Sequence, residues 1–326
     1  MQCGGFRTSY ASDERIFDTV LPIVGVTALI GVLAVVPQFA TTYWLDVLNR
    51  IGIAVIGALG LNILVGYTGQ ISIGHAAFLA VGAYSTAILE INAGLPFYLA
   101  IPLGALITSG FGLIFGIPSL RLRGLYLAIA TLAAHFITTY GIVHWESMTK
   151  GVLGMMVPPA TVFGMPLDSD KRVFYLIFAL VIPAIFFAKN LFRTRVGRAF
   201  IAIRDRDVAA GVMGVSLYHY KLLAFVLSSF YAGVAGGLMA HHSRILFPDS
   251  FTLLVAIDYL AMVIIGGLGS ILGAIFGAIF MTLLPELDQN IAPDGWWTID
   301  LCFWPDAWSV TEKCKTAIDK INASLS

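Results

Sequence analysis

The sequence predicts an all-α polytopic membrane protein of about eight transmembrane helices, and three observations carry that prediction. Of 326 residues, 58% are hydrophobic and only 12% are charged, whereas a soluble domain carries about a quarter charged residues. The mean hydropathy is +0.87, and the apolar residues gather into runs of about 20, enough for a helix to cross a hydrocarbon core roughly 30 Å thick. The lysines and arginines fall between these runs and divide unevenly between alternate gaps.

The chain opens with "MQCGGFRTSYASDERIF", polar and of both charge signs. It lacks the basic start and apolar centre of a cleaved leader, so the first span, about 17–39, is expected to direct insertion. The second span, about 45–65, and the third, about 76–91, flank the segment "GYTGQISIGHAAF". The fourth, about 97–117, and the fifth, about 124–143, flank Arg121 and Arg123. The sixth, about 173–191, lies between Lys171–Arg172 and Arg193, and the seventh, about 220–240, ends at His241–His242 beside Arg244. The eighth, about 253–284, is too long for one straight span and contains "GGLGSILG". It is therefore either tilted or broken at the glycines.

Cytoplasmic gaps carry the excess of lysine and arginine. With the N-terminus inside, eleven such residues face the cytoplasm, most of them between Lys189 and Lys221. Five face out: Arg50, Lys150, Lys171, Arg172 and Arg244. The N-terminus is therefore expected to be cytoplasmic. The formal net charge is zero, so no nucleic-acid footprint is present. Cys3, Cys302 and Cys314 have no metal-ligand or redox spacing. No G-x-x-x-x-G-K-[ST] phosphate loop occurs, so ATP is not expected to bind this chain.

The charged island "GRAFIAIRDRDVAAGVMGVS" spans Gly197 to Ser216. Arg204 or Arg206 at mid-bilayer would cost about 2.5–3.5 kcal/mol each, so the segment is a loop or an interfacial helix. Phe200, Ile203, Val208 and Val212 suggest one weak amphipathic helix ending near Gly214. Within it, "AAGVMG" offers Ala209, Ala210 and Gly214 for close approach by another protein. An ordinary basic inside loop accounts for the same residues. Between the second and third spans, Thr68, Gln70, Ser72 and His75 sit among three glycines. Polar side chains at membrane depth can line a translocation path, or simply satisfy a turn, and His75 alone suits hydrogen-bonded packing.

Other features read mainly as packing. Gly269, Gly273 and Gly277 fall on one helical face, as do Ala232, Gly236 and Ala240, and small residues at this spacing let helices approach in lipid. His241–His242 reads as an interfacial cap. Glu90 and Asp258 are the other polar exceptions, and an intramembrane acid is a functional candidate. The loop 144–172 contains "KGVLGMMVPPATVFGMP" and forms no soluble domain.

Three blocks carry a family resemblance: "LNILVGYTGQISIGHAAFLAVGAYSTAIL", "GRAFIAIRDRDVAAGVMGVSLYHYKLLAFVLSSFYAGVAGGLMA" and "DYLAMVIIGGLGSILGAIFGAIFMTLLPE". Together, over about Val20 to Glu286, they resemble the LivM-like permeases of branched-chain amino acid ABC importers. The resemblance implies the ABC-importer permease fold, with residues 1–16 a cytoplasmic N-terminus, 17–286 the permease domain and 287–326 a divergent tail. It implies that 193–219 couples to an ATPase through Arg204, Asp205, Asp207, Ala209, Ala210 and Gly214. It further implies a second related permease subunit, two ATPase subunits, a periplasmic substrate-binding protein and a bacterial inner-membrane location. The chain itself would be no enzyme and need no cofactor, ATP being bound by the partners. Two departures stand out. Val208, not an acid, directly precedes the paired alanines, and the end of the chain has four tryptophans but no 20-residue apolar run.

The alternative is a self-sufficient secondary transporter, which would need midplane ionisable residues and a repeated topology. The spans show no acid–base network in sequence and only a faint likeness between "HAAFLAVGAY" and "SSFYAGVAGG". A channel would need a repeated pore signature, which is absent. Substrate identity rests on the resemblance alone.

Overall fold

The computed structural model describes residues 31, 35–119, 124–159, 161–162, 165–166 and 170–291. Most of the expected first span, and the tail from 292, lie outside the described residues. Among the described residues, after helical residues at 31 and 35–39, eleven α-helices follow in order: α1 Thr42–Leu61, α2 His75–Ala93, α3 Phe97–Ser119, α4 Leu125–His144, α5 Glu146–Thr149, α6 Asp170–Arg193, α7 Arg195–Asp205, α8 Asp207–Val212, α9 Leu217–Ser243, α10 Leu253–Gly266 and α11 Ile271–Ile291. Among the described residues, seven helical stretches are long and apolar enough to cross a membrane, and Ile271–Glu286 forms a shorter apolar helix. The protein is an all-α polytopic membrane protein. Its only strands among the described residues are two-residue pairs: β1 Met155–Met156 with β4 Ile245–Leu246, and β2 Thr161–Val162 with β3 Met165–Pro166.

The run "IGIAVIGALGL" is apolar on every side, the mark of a helix with neighbours all round. Accordingly 89% of an apolar 18-residue stretch of Thr42–Tyr67 is buried inside the protein, against 22% of the corresponding stretch of Lys171–Arg193. Three glycines on α1 admit three different neighbours. A Cβ at Gly52 would lie 2.6 Å from Ile177 of α6, one at Gly57 2.5 Å from the Tyr259 ring of α10, and one at Gly60 2.6 Å from Tyr231 of α9. The second close-packed unit joins α2, α3 and α9. Gly82 approaches the Gly233 backbone, and Gly233 in turn approaches Ala105. Gly236 faces Leu79 and Ala83 of α2, so this expected small-residue position does serve packing.

The expected eighth span is broken rather than tilted. Gly267 and Gly269 take φ values of 105° and 78°, a region that glycine enters without a Cβ clash. The resulting turn sends α11 back along α10. Gly269 therefore lies in the turn and not on a helical face with Gly273 and Gly277. Gly266 completes that face instead, and a Cβ at Gly277 would lie 3.1 Å from Gly266 Cα and 2.9 Å from the Met262 carbonyl carbon.

Side-chain pairs identify which helix ends lie together. The Tyr43 hydroxyl donates to the Glu286 carboxylate, joining the start of α1 to α11. His242 Nε2 lies 3.1 Å from Asp46 Oδ1, and His241 Nε2 lies 2.9 Å from Glu90 Oε1 with both side chains nearly buried. The starts of α1 and α10 and the ends of α2, α9 and α11 thus share one end of the bundle. These two carboxylate–histidine contacts lie at helix ends and link no network across the spans. The two histidines end α9, and each lies against an acid of another helix. The pairing is between residues 151 or more positions apart in the chain, beyond the reach of periodicity.

Candidate coupling and translocation site

The opposite end of the bundle is built on the last turns of α1. After Leu61 the helix widens into a π segment, Asn62–Tyr67, and Thr68 ends it. A π segment interrupts the regular ladder and recurs at functional sites. Asn62, 1% exposed, uses both ends of its amide on the α10–α11 turn. Its Nδ2 donates to the Ser270 carbonyl at 3.0 Å, and its Oδ1 accepts from the Gly269 N–H at 2.9 Å. Arg204 of α7 reaches the same place, its Nη1 donating to the Gly66 carbonyl at 2.5 Å and lying 3.5 Å from the Leu268 carbonyl. A guanidinium here satisfies carbonyls at a helix C-terminus, where the macrodipole favours a cation.

The four candidate pathway residues are all buried. Thr68 Oγ1 donates to the Leu64 carbonyl at 2.6 Å. Gln70 Nε2 donates to Thr68 Oγ1 at 3.0 Å and to the Lys221 carbonyl at 3.3 Å. His75 Nε2 lies 3.0 Å from the Gly57 carbonyl, and its ring meets Tyr259 edge-on at 5.4 Å. Its nitrogen is thus used inside the protein, in line with hydrogen-bonded packing. Gln70 Oε1 and Ser72 Oγ have no hydrogen-bond partner among the described residues.

The charged island is two helices, not one. The chain breaks at Arg206, whose backbone is extended at φ −155°, ψ 99°. The two pieces are anchored to different elements: α7 by Arg204 on the α1 end, α8 by Asp207, whose carboxylate lies 3.6 Å from Lys221 Nζ of α9. Phe200 and Ile203 are buried as expected, but Val208, Val212 and Met213 are 66%, 84% and 83% exposed. The amphipathic reading therefore fails at its second half, because the break turns that half outward. Ala209 is exposed and Ala210 is buried. Gly214, with φ 86°, ends the segment while the Val215 N–H donates back to Ala210 O at 3.0 Å. The side chains of Asp205 and Arg206 are exposed and have no hydrogen bond or ion pair among the described residues.

A cavity of about 680 Å³ brings the two candidate sets together. Thr68 and Gln70 line it from the loop, and Arg204, Asp205, Asp207 and Ala209 from the island. Ser72, His75, Ala210 and Gly214 are not on its wall. Two residues at this end of the bundle are additional to the sequence expectations. Asn62 carried a legible signal, a lone amide inside "LGLNILVG". Lys221 carried none, since it looks like any basic residue at a span's inner end.

A family model described as the branched-chain amino acid transport system / permease component matches residues 43–299. The chain is 33% identical over 267 residues to the high-affinity branched-chain amino acid transport system permease protein LivM of Salmonella typhimurium, covering 74% of this chain and 63% of that protein. It is 34% identical over 264 residues to the Escherichia coli protein of the same name, covering 73% and 62%. It is 27% identical over 227 residues to a probable branched-chain amino acid transport permease protein LivH of Methanocaldococcus jannaschii, covering 66% and 70%. The chain spans under two thirds of the length of the two LivM proteins. No solved structure matches it. On the family match and the LivM identities, the chain belongs to the branched-chain amino acid transport permease family.

Proposed function

We propose that this chain is the membrane subunit of an ATP-driven importer for branched-chain or related amino acids. It sits in a bacterial inner membrane with its N-terminus and charged island in the cytoplasm. A second related permease completes the pathway, a periplasmic binding protein delivers the solute, and two ATPase subunits hydrolyse ATP on the island side. Residues 17–286 form the permease domain, and the chain itself performs no chemistry.

The observation that carries this reading is the outward apolar patch of Val208, Val212 and Met213. Arg204 and Asp207 are turned inward onto α1 and α9, so they hold the island in place. Val212 and Met213 are exposed at the end of α8, and the exposed charges of Asp205 and Arg206 precede its start. An apolar centre within a polar rim is the anatomy of a protein interface. Coupling then has a short route, because Arg204 of the island also holds the Gly66 carbonyl and reaches the α10–α11 turn. Gln70 Oε1 and Ser72 Oγ remain the pathway candidates with uncommitted atoms.

Co-purification with the ATPase subunits tests this. A buried interface contact is worth about 1–4 kcal/mol on truncation, so Val212→Glu should lower ATPase recovery about fivefold or more and reduce uptake with it. Expression should be unchanged, because Val212 is exposed in the free chain. Full recovery of the ATPase with Val212→Glu and Met213→Glu would reject docking at this patch.

A further inference from the structure

After α4 the chain runs through α5, the single turn Gly151–Leu153 and β1, at the end of the bundle away from the island. Thr149, which is buried, donates its Oγ1 to the Ile142 carbonyl of α4 at 2.6 Å. Asn92 Nδ2, at the end of α2, lies 3.6 Å from Met148 Sδ. The strand β1 pairs with β4, and the Val157 N–H donates to the Arg244 carbonyl, just past α9, at 2.8 Å. Lys150 has a φ of 62°, a conformation that residues with a Cβ seldom keep unless their surroundings impose it. The loop is thus pinned across the ends of α2, α4 and α9.

Pinned there, it turns apolar side chains outward. Val152, Leu153 and Met156 are 68%, 89% and 76% exposed. Successive strand side chains point to opposite faces, and accordingly Met155 is buried while Met156 is not. Ile245 stands directly across the ladder from Met156 and is exposed with it. Lipid does not account for this face. Tyr43, Trp44, Tyr98, Tyr140, Trp145 and Tyr175 are all exposed near the helix termini of this end, and such aromatic belts mark the membrane–water interface. The loop starts at Trp145 and crosses the end of α9, a helix packed against α1, α2 and α3, so its outward face meets water. An apolar surface held in water marks an interaction site. Glu146 and Lys150 are exposed beside it, and their side chains make no ion pair among the described residues. An anionic bilayer surface attracts cations alone, whereas charges of both signs around an apolar centre suit a protein partner.

We propose that this loop docks a water-soluble protein on the outer side of the membrane. The partner's contact surface is apolar at its centre and carries a carboxylate for Lys150 and a cation for Glu146 at its edge. Under the importer reading, on which this identification rests, that protein is the solute-binding subunit. The loop and the charged island lie at opposite ends of the bundle, so the chain meets its two soluble partners on opposite sides of the membrane.

The test uses the full chain assembled with its permease and ATPase partners in lipid nanodiscs. Purified leucine-loaded binding protein is titrated in, and the ATPase rate is followed against its concentration. Leu153→Asp combined with Met156→Asp should raise the half-saturating concentration about fivefold or more. The rate at saturating binding protein should return towards wild type, which a general structural defect would not allow. Lys150→Glu should raise half-saturation more at low salt than at high salt. A photo-crosslinking residue in place of Leu153 should capture the binding protein. An unchanged half-saturating concentration in the double variant, where wild type is stimulated, overturns the docking surface and leaves the importer reading standing. Crosslinks confined to lipid, to the second permease or to this chain overturn it as well. A wild-type assembly that neither responds to the binding protein nor takes up any branched-chain amino acid overturns the importer reading first.

Discussion

Asn62→Leu removes the pin between α1 and the α10–α11 turn with little change in side-chain volume. The amide makes two hydrogen bonds to backbone, at 3.0 Å to Ser270 O and 2.9 Å from Gly269 N–H. Each backbone group left unpaired costs about 1–3 kcal/mol, so dry surroundings would give a loss of about 2–6 kcal/mol. Ser270 is exposed and Gly269 is half-exposed, so water can replace part of each bond. The expected loss is therefore at the low end, about 2–3 kcal/mol. Reversible unfolding in mixed micelles, monitored for the permease alone, reads it directly. Arg204→Met should show coupling with Asn62→Leu in a double-mutant cycle, of about 0.5–3 kcal/mol, because Arg204 reaches Leu268 of the same turn. An Asn62→Leu protein within about 0.5 kcal/mol of wild type would refute the pinning role.

Two further outcomes follow from the hairpin. Gly277→Leu places its Cβ 3.1 Å from Gly266 Cα and closer still to the Met262 backbone, so it should destabilise by about 1–3 kcal/mol or more. A Cβ at Gly110 meets nothing within 4 Å, so Gly110→Leu should change the unfolding midpoint little; equal effects of the two would refute the close approach. A reporter inserted after Arg206 and one fused after Ile291 should sit on opposite sides of the membrane, as measured by cysteine labelling in intact cells. Labelling from the same side would mean that α11 does not return.

Helices of this kind are legible in sequence because apolar length is a strong, local signal. The run that suggests 97–117 becomes Phe97–Ser119, and that for 124–143 becomes Leu125–His144. The break near Gly267 and Gly269 was signalled by glycine, although not its sense. The orientation of single side chains was not legible. Phe200 and Val212 are both apolar residues in a basic segment, yet one is buried and the other 84% exposed. Hydrophobicity separates them poorly where both lipid and partner surfaces are apolar. Arg204 and Asp207 invite the same docking role as Asp205. Their inward partners, Gly66 and Lys221, lie on other helices, and no local pattern announces them. The acid–histidine pairs at the other end are illegible in sequence for the same reason, each acid and its histidine being brought together only by the packing of α9 against α1 and α2.

The bond between Tyr43 and Glu286 has a topological consequence. It places the first turn of α1 beside the last turns of α11, so the chain from 42 to 286 forms a nearly closed circuit. A short linker could join those two points on one side of the membrane without threading the bilayer. The circuit could then be cut elsewhere, at the exposed turn before Leu217 or at the Gly94 turn, to give a permuted 42–286 unit in which α1 to α11 keep one another as neighbours. Nearby termini at a protein surface are the condition under which circular permutation is tolerated. The order in which the helices are synthesised would change, while every helix would keep its direction across the membrane. The permuted chain would thus separate insertion order from packing as determinants of this architecture.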